Sequence, residues 1–144
     1  MSDKSPVSLK MTMEIYDTGN KEVTVVEEKG TLMERSNTSV LTFSEHNEND
    51  EKINSMITIQ PEKVSVKRSG AVAMHQKFQK KQITENVYRH EFGTIHMETH
   101  TDQILYEAPK GNKYGKLFVS YQTSLNGEDP RRHRLTIQLQ KNES

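Results

Sequence analysis

The sequence has no cysteine, which excludes disulfides, Cys-based zinc sites and a thiol nucleophile. It has no tryptophan, and aromatic residues make up only 6% of the chain. Net charge is also missing: 20 Lys and Arg balance 20 Asp and Glu. A protein that binds nucleic acid by neutralising phosphates carries a basic excess, so this class is not expected. No stretch approaches the ~18 consecutive apolar residues of a spanning helix, so no membrane partner is expected. The opening residues Met1 to Pro6 contain no apolar run of the kind a secretory signal needs. The default expectation is a cytoplasmic protein. Alanine, the best helix former, occurs only at Ala71, Ala73 and Ala108, which argues against a large helical portion.

Only 31% of residues are hydrophobic, a figure low enough to raise the question of disorder. Disorder goes with high net charge and no periodicity, and this chain has neither property. A sheet with one wet face needs only every second residue apolar, which accounts for the composition.

Val7, Leu9, Met11, Met13 and Ile15 alternate with Ser8, Lys10, Thr12 and Glu14. A helix would scatter these apolar residues around its circumference, whereas a strand puts them on one face. Asp17 to Asn20 reads as a turn. A second run covers Glu22 to Glu34, with Gly30 as a bulge or bend. Ser36-Asn37 turns into a run through Val40, Leu41 and Phe43, and His46 to Glu51 is a loop. Ile53, Ser55, Ile57 and Ile59 share the face of the next run, which Pro61 breaks. Val64 and Val66 lead to a hairpin at Ser69-Gly70 and on to Phe78. Further runs cover Ile83 to Glu91, Thr94 to Glu107, Leu117 to Leu125 and the stretch through Leu135, Ile137 and Leu139. Short turns join about ten such runs, so parallel crossovers are not expected. Closure into a barrel removes the two exposed sheet edges and is the natural solution, with a sandwich as the alternative.

At Arg68-Ser69-Gly70-Ala71-Val72-Ala73-Met74-His75-Gln76-Lys77-Phe78 the sequence resembles the YwiB-like family of small bacterial proteins of unknown function. The family pattern pairs an Arg-x-Gly turn with a downstream Phe. Further matches are Phe92-Gly93-Thr94-Ile95 with Thr99 and Thr101, then Gly30, and Phe43-Ser44-Glu45, where relatives carry Tyr-x-Glu. Arg134 stands where relatives often have Asn, so no role of that Asn carries over. The resemblance spans nearly the whole chain and implies a calycin-like, lipocalin-type barrel of about eight strands or slightly more. It implies no activity. The expected fold is therefore all-β: a single antiparallel up-and-down barrel of about eight to ten strands, residues 1–144, with 1–5 and 141–144 as loose tails. A barrel of that size is either filled by side chains or holds one small ligand.

Candidate sites are few. His96, Glu98 and His100 share one face of a strand, but His96 and His100 would stand ~13 Å apart, too far to share an ion. They are read as a solvated face, and no metal or other cofactor is expected. No nucleophile motif surrounds any Ser, so no catalytic residue is assigned and an enzyme is not expected. Arg68 and Glu45, both in family-matched positions, are expected to meet at one end of the barrel, either as a pair or with Arg68 holding an anion. Tyr88, Tyr106 and Tyr121 are candidates to line a pocket, each with an apolar ring and a polar tip. Arg131, Arg132, His133 and Arg134 with Lys113 and Lys116 could form a basic patch, but in a neutral protein a solvated loop is the better reading. The leading expectation is a non-enzymatic barrel binding a small, partly apolar or anionic ligand through Glu45, Arg68, Tyr88, Tyr106 and Tyr121. The alternative is a protein–protein interaction module with a filled barrel. Homodimerisation is left open.

Overall fold

The structure, a computed structural model, describes residues 3–90 and 93–142, with the side chains of 3 and 88–90 outside that description. The described residues form ten antiparallel strands: β1 (Asp3–Asp17), β2 (Asn20–Arg35), β3 (Thr38–His46), β4 (Lys52–Gln60), β5 (Lys63–Gly70), β6 (Ala73–Gln79), β7 (Ile83–His90), β8 (Gly93–Glu107), β9 (Gly115–Leu125) and β10 (Arg131–Lys141). Each strand pairs with its neighbours in sequence, and β10 returns to β1, closing a barrel. The strand count lies at the upper limit of the expected range. Among the described residues no helix is long and apolar enough to cross a membrane.

The expected tails need correction where they are described, and Met1, Ser2, Glu143 and Ser144 lie outside the described residues. Lys4 and Ser5 belong to β1 and pair with Met33 and Leu32, and Lys141 pairs with Val7. Continuous ladder hydrogen bonds hold these segments, so polar composition alone did not make them loose.

The alternation read in β1 and β4 determines which side chains enter the barrel. Val7 and Leu9 are buried, as are Ile53, Ser55, Ile57 and Ile59. Thr18-Gly19 makes the first two-residue turn with positive φ at both positions, 34° and 84°. This is the turn whose twist suits a hairpin. Gly30 is not a bulge, because the β1–β2 register runs through it without a shift. Its lack of a side chain matters for another reason: a Cβ there would collide with the Thr42 carbonyl oxygen. Gly30 lets the two backbones meet closely at the last pair of their ladder, beyond which Asn20–Lys29 pairs only with β1.

The barrel has two unlike halves. The lower end carries the β2–β3, β4–β5, β6–β7 and β8–β9 connections. Its interior is a solid apolar plug that includes Val7, Leu32, Leu41, Ile59, Val64, Ile104, Leu117, Val119, Ile137 and Leu139. The upper end carries the remaining connections, and its inward positions are mixed: Met, Thr, Gln, Glu and Arg take the places that Leu and Ile hold below.

One seam is weak. Among the described residues β6 and β7 share only two backbone pairs, Ala73 with Arg89 and Met74 with Tyr88. Below them the strands part, and side chains bridge the gap. The Lys77 N–H donates to Asn86 Oδ1 at 3.1 Å, and Thr84 Oγ1 donates to the Lys77 carbonyl. The β6–β7 connection docks on β8 instead: the Lys81 N–H donates to the Thr101 carbonyl and the Thr101 N–H to the Gln82 carbonyl. A bulge in β8 between Thr101 and Gln103 accompanies this docking.

Candidate functional site

Above the plug lies a cavity of about 280 Å³. Ile57, Phe78 and Leu135 line it where it meets the core. Met11, Met13, Val26, Val66 and Met74 supply most of its wall, and Glu45, Arg68, Gln76 and Ser55 supply polar atoms. The three methionines give a soft wall of flexible, polarizable side chains that adapts to irregular shapes. On one side the wall passes from Thr24 and Val26 of β2 to Phe43 and Glu45 of β3. Above Gly30 and Phe43 these strands no longer pair, so the cavity is open between them.

Glu45 and Arg68 meet there as expected. Arg68 Nη2 donates to Glu45 Oε1 at 2.7 Å, and the side chains are 29% and 16% exposed. They come from β3 and β5 across β4, where Ser55 pairs with both Phe43 and Arg68. At the mouth of the cavity the pair retains water on one side. It is therefore not the fully buried pair for which a loss of ~3–5 kcal/mol on breaking would be typical.

The tyrosines divide. Tyr121 reaches the cavity, is 2% exposed and donates its hydroxyl to the Met13 sulfur at 3.6 Å. Its ring packs against Phe78 at 4.5 Å and stacks on His133 at 4.8 Å with an interplanar angle of 8°. Burial pushes its hydroxyl pKa upward. Tyr106 does not join them. It lines a separate depression at the lower end with Glu34, Ser39, Ile59 and Ile104. Inward phase alone does not set height in a barrel, and the β8 bulge adds a residue between Thr101 and Tyr106. Burial raises the Tyr106 pKa, with Ser39 offsetting it in part, and the hydroxyl makes no well-aligned hydrogen bond. The side chain of Tyr88 lies outside the described residues.

His96, Glu98 and His100 are exposed, as a solvated strand face requires. The basic run is dispersed. Arg131 pairs with Asp17 at 3.4 Å, Arg132 donates to Ser120 at 2.9 Å, and Arg134 lies over the Tyr16 ring at 5.5 Å. Arg132 Nη2 also sits 3.1 Å from Asp102 Oδ2, an ion pair whose angles do not make a hydrogen bond. Lys113 and Lys116 lie toward the opposite end, in and just after the β8–β9 connection.

The sequence reading missed the polar belt beside the weak seam. Gln76 Nε2 donates to Thr99 Oγ1 at 3.1 Å and reaches the Met97 sulfur at 3.7 Å. Asn86 Nδ2 and Thr101 Oγ1 are buried with no partner among the described residues. Phase could have revealed Gln76, which alternates in register with Met74 and Phe78. His133, half-buried against the Tyr121 ring, was also missed. Its Nε2 bonds with Thr123 Oγ1 at 2.7 Å, while Nδ1 is buried and unpartnered. Desolvation, with Arg131 adding, lowers its pKa to about 4, so it is neutral at pH 7.

Taken together, these features define a class: a ten-stranded antiparallel barrel, plugged at one end and hollow at the other, with an ion pair at the mouth of the hollow. The chain belongs to the family described as "Domain of unknown function (DUF1934)", whose profile matches residues 9–137. It is similar to the "Uncharacterized beta-barrel protein YwiB" of Bacillus subtilis (strain 168), with 27% identity over 137 residues, covering 95% of this chain and 94% of that one. The crystal structure of the ywiB protein from Bacillus subtilis superposes with a TM-score of 0.84 at 25% identity, covering 97% of this chain and 94% of that one.

Proposed function

We propose that this protein is a non-enzymatic binder of a small, largely apolar molecule held in the upper half of the barrel. The supporting observation is the cavity itself: apolar walls with a few convergent polar groups are what a binding site looks like. Its volume of about 280 Å³ is just below the ~300–1,000 Å³ of pockets that take drug-sized ligands. It is well above the ~150 Å³ that suffices for a benzene-sized guest. Glu45 already neutralises Arg68, so a ligand carboxylate would have to displace it. A neutral acceptor or hydroxyl, able to use the remaining Arg68 donors, fits with less rearrangement. The outer strand faces carry charged residues such as Lys10, Glu27, Lys67 and Lys77, all exposed. A barrel whose outside faces lipid carries an apolar band there, so the setting proposed is aqueous and cytoplasmic. The alternative of an interaction module with a filled barrel is favoured by the lower half alone.

The test is native mass spectrometry of protein purified from its own cells, for the parent chain and for Val66→Phe. The larger side chain fills the cavity, so a co-purifying small molecule should be lost while stability is held or raised. A bound mass retained in full by Val66→Phe would place the ligand elsewhere and sink this reading.

A further inference from the structure

The upper half of β2 is an open sheet edge. From Asn20 to Lys29 it pairs with β1 alone, and β3 joins only from Gly30 onward. Asp17 and Asn20 close a two-residue turn, so this pair and every second pair beyond it exchange hydrogen bonds within the hairpin. The N–H and C=O groups of Lys21, Val23, Val25 and Glu27 therefore point to the free side. No backbone partner meets the groups of Lys21, Val23 and Val25 among the described residues. The same residues form the outer face, where Val23 is 53% exposed and Val25 50%.

Such an edge is a template for another strand, and natural proteins usually blunt it with charge. Here the charges are arranged differently. An antiparallel copy of β2 centred on Thr24 sets Val23 against Val25 and Lys21 against Glu27, and each pair occurs twice by symmetry. All are edge-directed residues, as a hydrogen-bonded ladder requires. Shifting the centre to Val25 would instead oppose Lys21 to Lys29 and Val23 to Glu27. Lys21 also holds Glu14 at 2.9 Å, yet it is 51% exposed and can face both carboxylates. We propose that β2 pairs with β2 of a second copy of this chain, about a two-fold axis at Thr24, to form a homodimer. The sheets of the two barrels then become continuous, and each partner strand lies along the gap between β2 and β3. This interface is independent of whether the cavities are filled.

The absence of cysteine makes the register directly testable. In this register Thr24 faces itself in a non-hydrogen-bonded pair, with Cα atoms ~4.5 Å apart, within the ~4.4–6.8 Å range a disulfide spans. Val26 opposes Glu22 instead, so the two Val26 positions stand ~14 Å apart along the strands. Thr24→Cys should therefore cross-link on mild oxidation to a dimer of the full chain, and Val26→Cys should not. In sedimentation velocity the parent chain should dimerise reversibly with concentration. Glu27→Lys should weaken the dimer about tenfold by opposing like charges twice, and adding Lys21→Glu should restore it. A parent chain that stays monomeric throughout overturns the proposal. So does equal cross-linking of the two cysteine variants, or a charge reversal that the second change fails to rescue. Pairing of the edge with an extended segment of some other protein, while the chain itself remains monomeric, overturns it as well.

Discussion

At the residue scale, Glu45 and Arg68 are the most informative pair. Their exposure of 16% and 29% puts them between a surface pair and a buried one. A urea-melt double-mutant cycle with Glu45→Ala and Arg68→Ala should give a coupling of about 1–2 kcal/mol, above the ~0–1 kcal/mol of exposed pairs and below the buried range. Coupling near zero would mean that the contact contributes nothing. His133 predicts a pH dependence. Its folded pKa, about 4, lies below the ordinary 6.5. The unfolded chain therefore binds the proton more tightly, and stability is lost as pH falls from about 6.5 to 4. With a discount for its partial exposure, the loss is about 2 kcal/mol. His133→Phe keeps a ring against Tyr121 and removes the titration. The parent's urea stability minus that of His133→Phe should fall as pH drops through that window, whereas a constant difference would refute the assignment. Only part of this scale was legible beforehand. Family-matched positions brought Glu45 and Arg68 together, since nothing in their own spacing does so. Tyr106 and Tyr121 looked equivalent because alternation reports inside or outside and not height along the barrel.

At the element scale, the strands themselves were readable because a two-residue period survives in β1, β4, β9 and β10. The β6–β7 seam was not. Gln76 shares its phase with Met74 and Phe78, but Asn86 looks like an ordinary member of an alternating run, and only the docking of Lys81 and Gln82 on β8 shows why β7 stands away from β6. At that seam a side chain replaces a ladder bond, so the energy at stake is that of one hydrogen bond. Asn86→Ala should cost about 1–2 kcal/mol and selectively speed amide exchange at Lys77, leaving the β1–β10 amides unchanged. Hydrogen exchange followed residue by residue makes the comparison. Uniform acceleration across the barrel would show that the seam does not open locally.

At the scale of the whole molecule, barrel closure rests on strands far apart in sequence. β1 meets β10 along a ladder from Val7–Lys141 to Tyr16–Arg132, one of the longest in the protein. Non-local pairing of this kind is slow, because loop entropy is lost before the contacts form. Refolding from urea, followed by far-ultraviolet circular dichroism, should fall in the millisecond-to-second range of all-β domains. Microsecond folding would contradict this topology.

The same ladder bears on synthesis. While a ribosome is still extending the chain, β1 has emerged and paired with β2, but the partner for its other side does not yet exist. Val7, Leu9 and Leu139 end up in one core, yet more than a hundred residues must be added between the first two and the last. At the usual ~5–20 residues per second, β1 waits several seconds with an apolar face and a free edge in view. The nascent chain in that interval is the form most exposed to aggregation and to chaperones, and the arrival of Leu135 to Leu139 ends it.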